Sequence, residues 1–584
     1  MALKNVQHFF VLMLENRSFD HLFGLSDIAG TSATTGEKVG IEGLSDKTLF
    51  LKNSSGESVQ IDKNSLLARN RLRRDVPHEF EDVKRQLCGP RHDGPYSDES
   101  ITMGGFIADR GGEDPDMEDA VRCVGPGHLR VFNALASEFV ICDHWFSSVP
   151  GPTFPNRMFA HAATSGGIAG SPTTWQIVRH TVDGYDFRNG HIFGRLRQKG
   201  IPWEIFVHDR IENMSVLLDG ISAAGVKEFS QFTWELNQDP FRPQYIFIEP
   251  RYDAIVGHYS RGNSMHPIGD MVKAELLVKD VYETIRAVPR VWERSALIVV
   301  FDEHGGFFDH VRPPKAPAPG DGSSNSAFDF ERLGPRVPAL IISPLIPRNL
   351  VDSRVYDHTS ILRTVAQRFD LPPLTKRDAS ANSLEHLFSL DSARRDTPKR
   401  LPDPAWPPEL VSRSFQRAIP EMAGDPTLLG ASAGPFVLAA AAVKAELAGP
   451  DAWGAITDEV RALDGRSQEK IVDFVTGVRE EAAATADARA PRAPRAPRSR
   501  DAGLGGMGEV SMFAPRSEIL TPSDEVEERH AEAWRVGISR AELREIERSR
   551  EEASKAGANP AAESSGNGDQ GTSAAAGPSG DFPV

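Results

Sequence analysis

The chain has 584 residues, 40% of them hydrophobic and 25% charged, so it can bury a large core and exceeds one ordinary domain. Its formal net charge of −16 argues against a general nucleic-acid surface and offers no broad basic face to an anionic membrane. Three widely spaced cysteines (Cys88, Cys123, Cys142) show neither a disulfide framework nor a zinc knuckle, and read as reduced core thiols.

The first apolar run, Phe9 to Leu14, is too short to span a bilayer, and no later stretch approaches the roughly twenty apolar residues a transmembrane helix needs. The start shows no basic region followed by an apolar segment and a small-residue cleavage site. The expectation is a cytoplasmic protein, a mature form, or one exported by a route without a cleaved N-terminal signal.

Val6 to Leu14 is almost continuously apolar, as in a central strand buried on both faces, and it ends in Glu15-Asn16-Arg17-Ser18-Phe19-Asp20-His21. Carboxylate and amide oxygens at such a strand tip suit a hard divalent cation; a polar loop or a helix cap is the plainer alternative. Residues 24–74 are rich in Gly, Ser and Thr with weak periodicity, which predicts a long, partly irregular insertion. Pro77-His78-Glu79 then opens a helix through Gln86, and Met103-Gly104-Gly105-Phe106 reads as a close backbone approach. A helix over His128 to Ser137 and a short strand over Phe139 to Cys142 follow.

Val149-Pro150-Gly151-Pro152-Thr153 fixes the backbone and exposes a hydroxyl, and Asn156-Arg157 carries groups suited to phosphate oxygens. The alternative is a Pro-rich turn before a helix from Arg157 to Ala163, with Asn156 as its cap. Ile201 to Val207, Gln244 to Ile248 and Pro338 to Ser343 are further strands. His266-Pro267 precedes an amphipathic helix, Gly269 to Val288, and His358 precedes a helix that runs through Phe369. Between these helices, the apolar strand Leu297 to Phe301 ends in Asp302-Glu303-His304-Gly305-Gly306-Phe307-Phe308-Asp309-His310. Two Asp, one Glu and two His within nine residues exceed what a polar turn requires and mark a metal or catalytic cluster. Strands alternating with helices predict a predominantly parallel α/β sheet sandwiched by helices over residues 1–390. Beyond it lie a Pro-rich linker or wrapping segment (391–430), a small helical appendage (431–480) and a largely disordered tail (481–584) with a charged helix near 526–552.

There is no Gly-x-Ser-x-Gly elbow and no Walker loop, so the pieces fit metal-assisted phosphoryl transfer better than acyl transfer. Glu15 to His21, Pro152-Thr153-Phe154-Pro155-Asn156-Arg157, His266-Pro267 and Asp302 to Phe307 with Asp309-His310 arrive in an order that resembles the bacterial and plant phosphoesterase family. That family holds the non-specific and phosphatidylcholine-preferring phospholipases C and related acid phosphatases. The similarity continues through Asp357-His358-Thr359-Ser360 and Leu374 to Asp378 and covers about the first two-thirds of the chain.

The resemblance implies an alkaline-phosphatase-like fold and one or more divalent ions (Ca, Mg or Zn). Glu15, Asn16, Asp302 and Glu303 would be metal-site residues, with Thr153 as a nucleophile touching the metal. His266, His304, His310 and His358 would be the pool from which one protonates the leaving group, while His78, Asn156, Arg157 and Asp309 would contact substrate. The expected substrate is a phospholipid, phosphatidylcholine above all, with peripheral membrane contact. A soluble phosphate monoester, as for an acid phosphatase, is the alternative, and a degenerate lipid- or partner-binding module is a third reading.

Overall fold

The computed structural model describes residues 2–404 except 53–55, 62–70, 73–74, 90–91, 93–95, 108–118, 126, 173–184, 186, 256–258 and 326, together with parts of 437–460 and all of 468–489. The charged helix expected near 526–552 lies outside the described residues, as does the Ala-Pro-Arg repeat that begins at Ala490.

The apolar runs pair into one ten-stranded sheet. Its strands are β1 (His8–Leu14), β2 (Ala29–Ser32), β3 (Lys38–Gly40), β6 (Val140–Cys142), β7 (Trp203–Val207), β8 (Lys227–Glu228), β9 (Tyr245–Glu249), β10 (Ser295–Phe301), β11 (Ala339–Ile342) and β12 (Leu350–Asp352). A separate hairpin joins β4 (Phe50–Lys52) to β5 (Ser58–Gln60). The spatial order is β3-β2-β12-β6-β11-β10-β1-β9-β7-β8. Every residue of β1 and of β10 is buried, which is why both read as unbroken apolar runs rather than alternating ones. β1 lies between β10 and β9, parallel to both.

The sheet is mostly parallel, as expected, but β11 runs antiparallel to both β10 and β6. A fully apolar strand carries no direction in its composition, so this reversal was not readable. Within the described part of 24–74, β2 and β3 extend the sheet edge and the hairpin packs over a satellite core. That core includes Leu51, Val83, Leu87, Phe106 and Phe308. Gly105 makes the close approach read from its sequence, since an added Cβ would strike the Arg85 carbonyl. All three cysteines are buried and unbridged.

Four helices matter for the site: α1 (Phe19–Phe23), α2 (Phe80–Cys88), α3 (Arg130–Glu138) and α4 (Thr153–Ala162). The start of α4 corrects one expectation, since it lies at Thr153 rather than Arg157. Pro155 is tolerated because the first four N–H groups of a helix lack intrahelical partners anyway. The segment after Thr397 runs along the helix Met271–Arg286, where Tyr282, Arg286 and Lys279 donate to the carbonyls of Pro398, Thr397 and Leu401. Among the described residues no helix is long and apolar enough to cross a membrane.

Candidate active site

Register explains why two distant acidic motifs meet. Leu14 pairs with Phe301 at the carboxyl ends of β1 and β10, so the next residues, Glu15-Asn16 and Asp302-Glu303, leave the sheet side by side. The crevice outside the carboxyl ends of parallel strands is the usual ligand position in open α/β sheets. Asp302 Oδ1 accepts from the backbone N–H groups of Asn16 (3.1 Å) and Glu303 (2.7 Å). The glycines after Glu303 allow the two loops to touch. Gly305 has φ of +65° and Gly306 of +74°; a Cβ on the first would strike the Asn16 carbonyl, and one on the second would come within 2.5 Å of Val76 Cγ1. Asn16 itself sits at a φ of 58°, a sparsely populated conformation for a residue with a Cβ.

Thr153 arrives from a third direction. As the first residue of the ten-residue α4, it places its hydroxyl at the positive end of a helix dipole, where anions are favoured. Its Oγ1 donates to Asn16 Oδ1 at 3.3 Å. His78, just ahead of α2, completes the ring: its Nε2 lies 3.1 Å from Asn16 Nδ2 and 3.7 Å from Glu303 Oε1, while Nδ1 hydrogen-bonds the Val76 carbonyl at 2.6 Å. Burial opposes a charge on His78, yet the Glu303 and Asp75 carboxylates outweigh it and hold the ring up to about 10.

The acids themselves are under-neutralised. Glu15, Asp302 and Glu303 are all at most 1% exposed. Burial raises each of them: Glu15 well above the ordinary range, with the Asp302 charge adding to the effect, and Glu303 to about 7. Arg157 is the guanidinium among them, and it donates to Asp302 Oδ2 at 3.0 Å and to the carbonyls of Met13 and Leu14. Glu15 Oε2 and Glu303 Oε1 are buried without a hydrogen-bond partner. Unpaired carboxylate oxygens in the interior are costly, and a hard divalent cation is the group that would satisfy them.

The remaining sequence-selected residues divide by their partners. Asn156 is committed to its own turn: Oδ1 accepts from Val149 N–H at 2.9 Å, and Nδ2 faces the carbonyls of Val149, Gly151 and Pro152. Arg157 likewise holds Asp302 and the β1 tip, with its guanidinium carbon 5.1 Å from the centre of the Tyr252 ring. These contacts brace both side chains against the β1 tip and the turn before α4, while Arg157 Nη1 is buried without a hydrogen-bond partner. His304 donates Nε2–H to Gln86 Oε1 at 2.8 Å, which ties the loop to α2. His358 donates Nε2–H to the Asp302 carbonyl at 2.6 Å and accepts at Nδ1 from Trp145 (3.4 Å).

His310 and Asp309 belong to a second buried group. Arg336 donates to Asp309 Oδ1 (2.8 Å) and Asp20 Oδ1 (2.9 Å), and His310 Nδ1 lies 2.6 Å from Asp20 Oδ2. His266 is different again: wholly buried, stacked on Tyr259 with ring centroids 3.7 Å apart, and without a hydrogen-bond partner at either ring nitrogen.

Asp75, Gln86, Tyr259 and Arg17 escaped sequence reasoning. Asp75 sits in Arg74-Asp75-Val76-Pro77-His78, three residues before a selected histidine, and that spacing was the one available signal. Asp75, His78 and His266 offer ligand atoms within 4.8 Å of one another, as do Asp20, Asp309 and His310.

Comparison with known proteins gives this geometry a family. Residues 6–372 match the model of the Phosphoesterase family. Non-specific phospholipase C3 of Arabidopsis thaliana is 34% identical over 417 residues, 67% of this chain and 75% of that protein. This chain belongs to the phosphoesterase family. It is a phosphoric ester hydrolase, and the matched span holds every residue of the site just described. A second phosphoesterase, non-specific phospholipase C6 of the same plant, is 32% identical over 72% of this chain and 79% of its own length. Non-hemolytic phospholipase C of Pseudomonas aeruginosa is 26% identical over 72% of this chain and 62% of that protein. Among solved structures, a protein in the alkaline phosphatase superfamily from Vibrio parahaemolyticus aligns over 53% of this chain and 82% of its own, with a TM-score of 0.28 and 12% identity.

Proposed function

We propose that this phosphoesterase is a phospholipase C that cleaves the glycerol-side phosphodiester of phospholipids, phosphatidylcholine among them, to diacylglycerol and a phosphorylated headgroup. The observation that carries the reading is the Thr153 hydroxyl at the α4 N-terminus, 3.3 Å from Asn16 Oδ1, in a site where one oxygen each of Glu15 and Glu303 is buried without a hydrogen bond. The lipid as substrate rests on the similarity to phospholipases C from a plant and a bacterium.

In this reading Glu15, Asn16, Asp302, Glu303 and the Thr153 hydroxyl would hold a divalent ion. Bound there, the ion supplies Lewis-acid charge that lowers the hydroxyl pKa and neutralises phosphoryl oxygens. Thr153 Oγ1 attacks phosphorus as the bond to the glycerol oxygen breaks, leaving the headgroup phosphate esterified to Thr153, and water then cleaves the Oγ1–P bond to release the phosphorylated headgroup. The helix dipole of α4 favours the anionic phosphoryl group throughout. His78, held near the charged form by Glu303 and Asp75, offers Nε2 toward the same space. His358 and Arg157 keep Asp302 in place from behind.

The test is a substrate panel with wild type and Thr153→Ala, with and without chelator. Phosphocholine release from phosphatidylcholine that falls at least about 10³-fold in the variant is expected for loss of a nucleophile. Turnover confined to a monoester such as p-nitrophenyl phosphate would move the assignment to a phosphomonoesterase built on the same residues. Full activity in Thr153→Ala would remove the nucleophile assignment.

A further inference from the structure

Of the four histidines in the pool for leaving-group protonation, three are already engaged. His304 is tied to Gln86, His310 to Asp20 and Glu42, and His358 to the Asp302 carbonyl and Trp145. His266 alone in that pool lacks a hydrogen bond at both ring nitrogens, although it is fully buried. Its position is nevertheless fixed. Tyr259 covers one face at 3.7 Å with an interplanar angle of 10°, and Arg17 pins the local backbone by donating to the carbonyls of Met265 (2.8 Å) and His266 (3.2 Å). Asp75 Oδ2 lies 3.4 Å from His266 Nε2, close enough for an ion pair but off the line of a hydrogen bond.

The pair also borders the reacting groups. Asp75 Oδ1 is 4.0 Å from His78 Nδ1, and His78 Nε2 reaches Asn16, the partner of the Thr153 hydroxyl. Asp75 is the partly exposed member of the pair.

We infer that His266, positioned by Asp75, delivers the proton to the departing glycerol oxygen. The inference rests on the phospholipase C reading above and names the acid of that reaction. With Thr153 reacting as its alkoxide the step balances: the Oγ1–P bond forms, the P–O bond to glycerol breaks with its electron pair going to oxygen, and the proton passes from the pair to that oxygen. In the second half a water oxygen bonds to phosphorus, the Oγ1–P bond breaks to return the alkoxide, and the pair takes the proton from that water. Burial, with His78 and Arg17, pushes His266 below its ordinary range, while burial and the Glu303 charge, against His78 and Arg17, raise Asp75 to about 6. Asp75, His78 and His266 together do not make a good cation cage, because His78 Nδ1, on the Asp75 side, is spent on the Val76 carbonyl at 2.6 Å.

Leaving-group dependence tests this in the full chain. Phosphatidylcholine expels an alkoxide that needs a proton; p-nitrophenyl phosphocholine expels a stable phenolate that does not. His266→Gln is expected to lower kcat/KM on the lipid by about 10²–10⁴-fold, the usual range for a lost general acid, with less than about tenfold loss on the phenyl ester. Asp75→Asn should show the same pattern at smaller amplitude, and it carries the comparison should His266→Gln fail to fold. Equal losses on both substrates in a well-folded variant, with wild type active, would overturn the inference alone. So would a bound-metal count that falls by one per chain in Asp75→Asn, which would make the cluster a cation site. Wild type inactive on both substrates would overturn the inference together with the reading beneath it.

Discussion

Arg336 is the most informative single residue outside the reacting groups. Its side chain is fully buried and donates to Asp309 (2.8 Å), Asp20 (2.9 Å) and the carbonyls of Glu42 and Asp143 (2.8 Å each), with the Phe19 ring 4.5 Å away. In Arg336→Met these two buried carboxylates face each other with His310 as the remaining cation beside them. Removing one partner of a buried ion pair costs about 3–5 kcal/mol, and here one cation serves two anions, so the upper end of about 5 kcal/mol is expected. The pH dependence has a definite sign. Asp309 is raised to about 6 by burial, held down in part by Arg336, so the native state already binds its proton more tightly than the unfolded chain does. Stability from such a group is fully present below the unfolded pKa and is lost as pH rises through the folded one. Without Arg336 the folded pKa rises further, and each tenfold gain in proton affinity is worth about 1.36 kcal/mol. The deficit should therefore be largest near pH 8 and about 2–3 kcal/mol smaller near pH 5. His310, raised by Asp20 against its burial, adds to the same trend. Urea unfolding of wild type and variant at the two pH values measures it. A deficit under about 1 kcal/mol, or one that grows on acidification, would refute the reasoning. Adding Asp309→Asn should recover stability, as coupled neighbours do.

Other changes have equally specific outcomes. Gly305→Ala places a Cβ against the Asn16 carbonyl at a left-handed φ, which alone costs about 1–2 kcal/mol, so calorimetry should show a Tm several degrees lower together with weaker cation binding. Arg157→Lys keeps the charge but cannot serve Asp302 and two carbonyls at once; kcat should fall about 10²-fold with little change in KM, in steady-state assays, as a misplaced ligand predicts. His358→Gln removes a buried donor to the Asp302 carbonyl and should cost about 1–3 kcal/mol in denaturant unfolding while leaving the ratio of lipid to phenyl-ester turnover unchanged.

The sheet was legible because its strands are buried on both faces, so that β1, β6, β7, β9, β10 and β11 stand out as apolar runs within a few residues of their observed ends. What apolar runs conceal is direction and length. The reversal of β11 leaves no mark in Ala-Leu-Ile-Ile, and β12, three residues long, is indistinguishable from a turn. The four strands among the described residues of 24–74 are three or four residues each and partly exposed, too short for a period-2 pattern to emerge. In the site, Glu15-Asn16, Thr153 and Asp302-Glu303 were legible because each follows a strand or a Pro-fixed turn. The hydrogen-bond partners of Asn156, Arg157 and His358 were not, because a residue type says what a side chain can bind and only its neighbours say what it does bind. Asp75 was hidden by the low-information stretch before it.

The two buried acidic groups show how neighbours decide. Both gather carboxylates at the strand ends with a histidine and an arginine close by, and from residue types alone they are equivalent. Arg336 donates to both Asp20 and Asp309, and His310 takes the other Asp20 oxygen, so that group is a weld between the loop after β1 and the loop after β10. Arg157 donates to Asp302 alone among its acids, its own Nη1 is buried without a partner, and Glu15 and Glu303 each keep a buried oxygen with none. A group whose charges close among themselves leaves nothing for a ligand to satisfy; one that keeps two buried carboxylate oxygens outside any hydrogen bond is the one a hard cation would satisfy. That asymmetry, rather than the count of acids, separates the site from the scaffold that holds it.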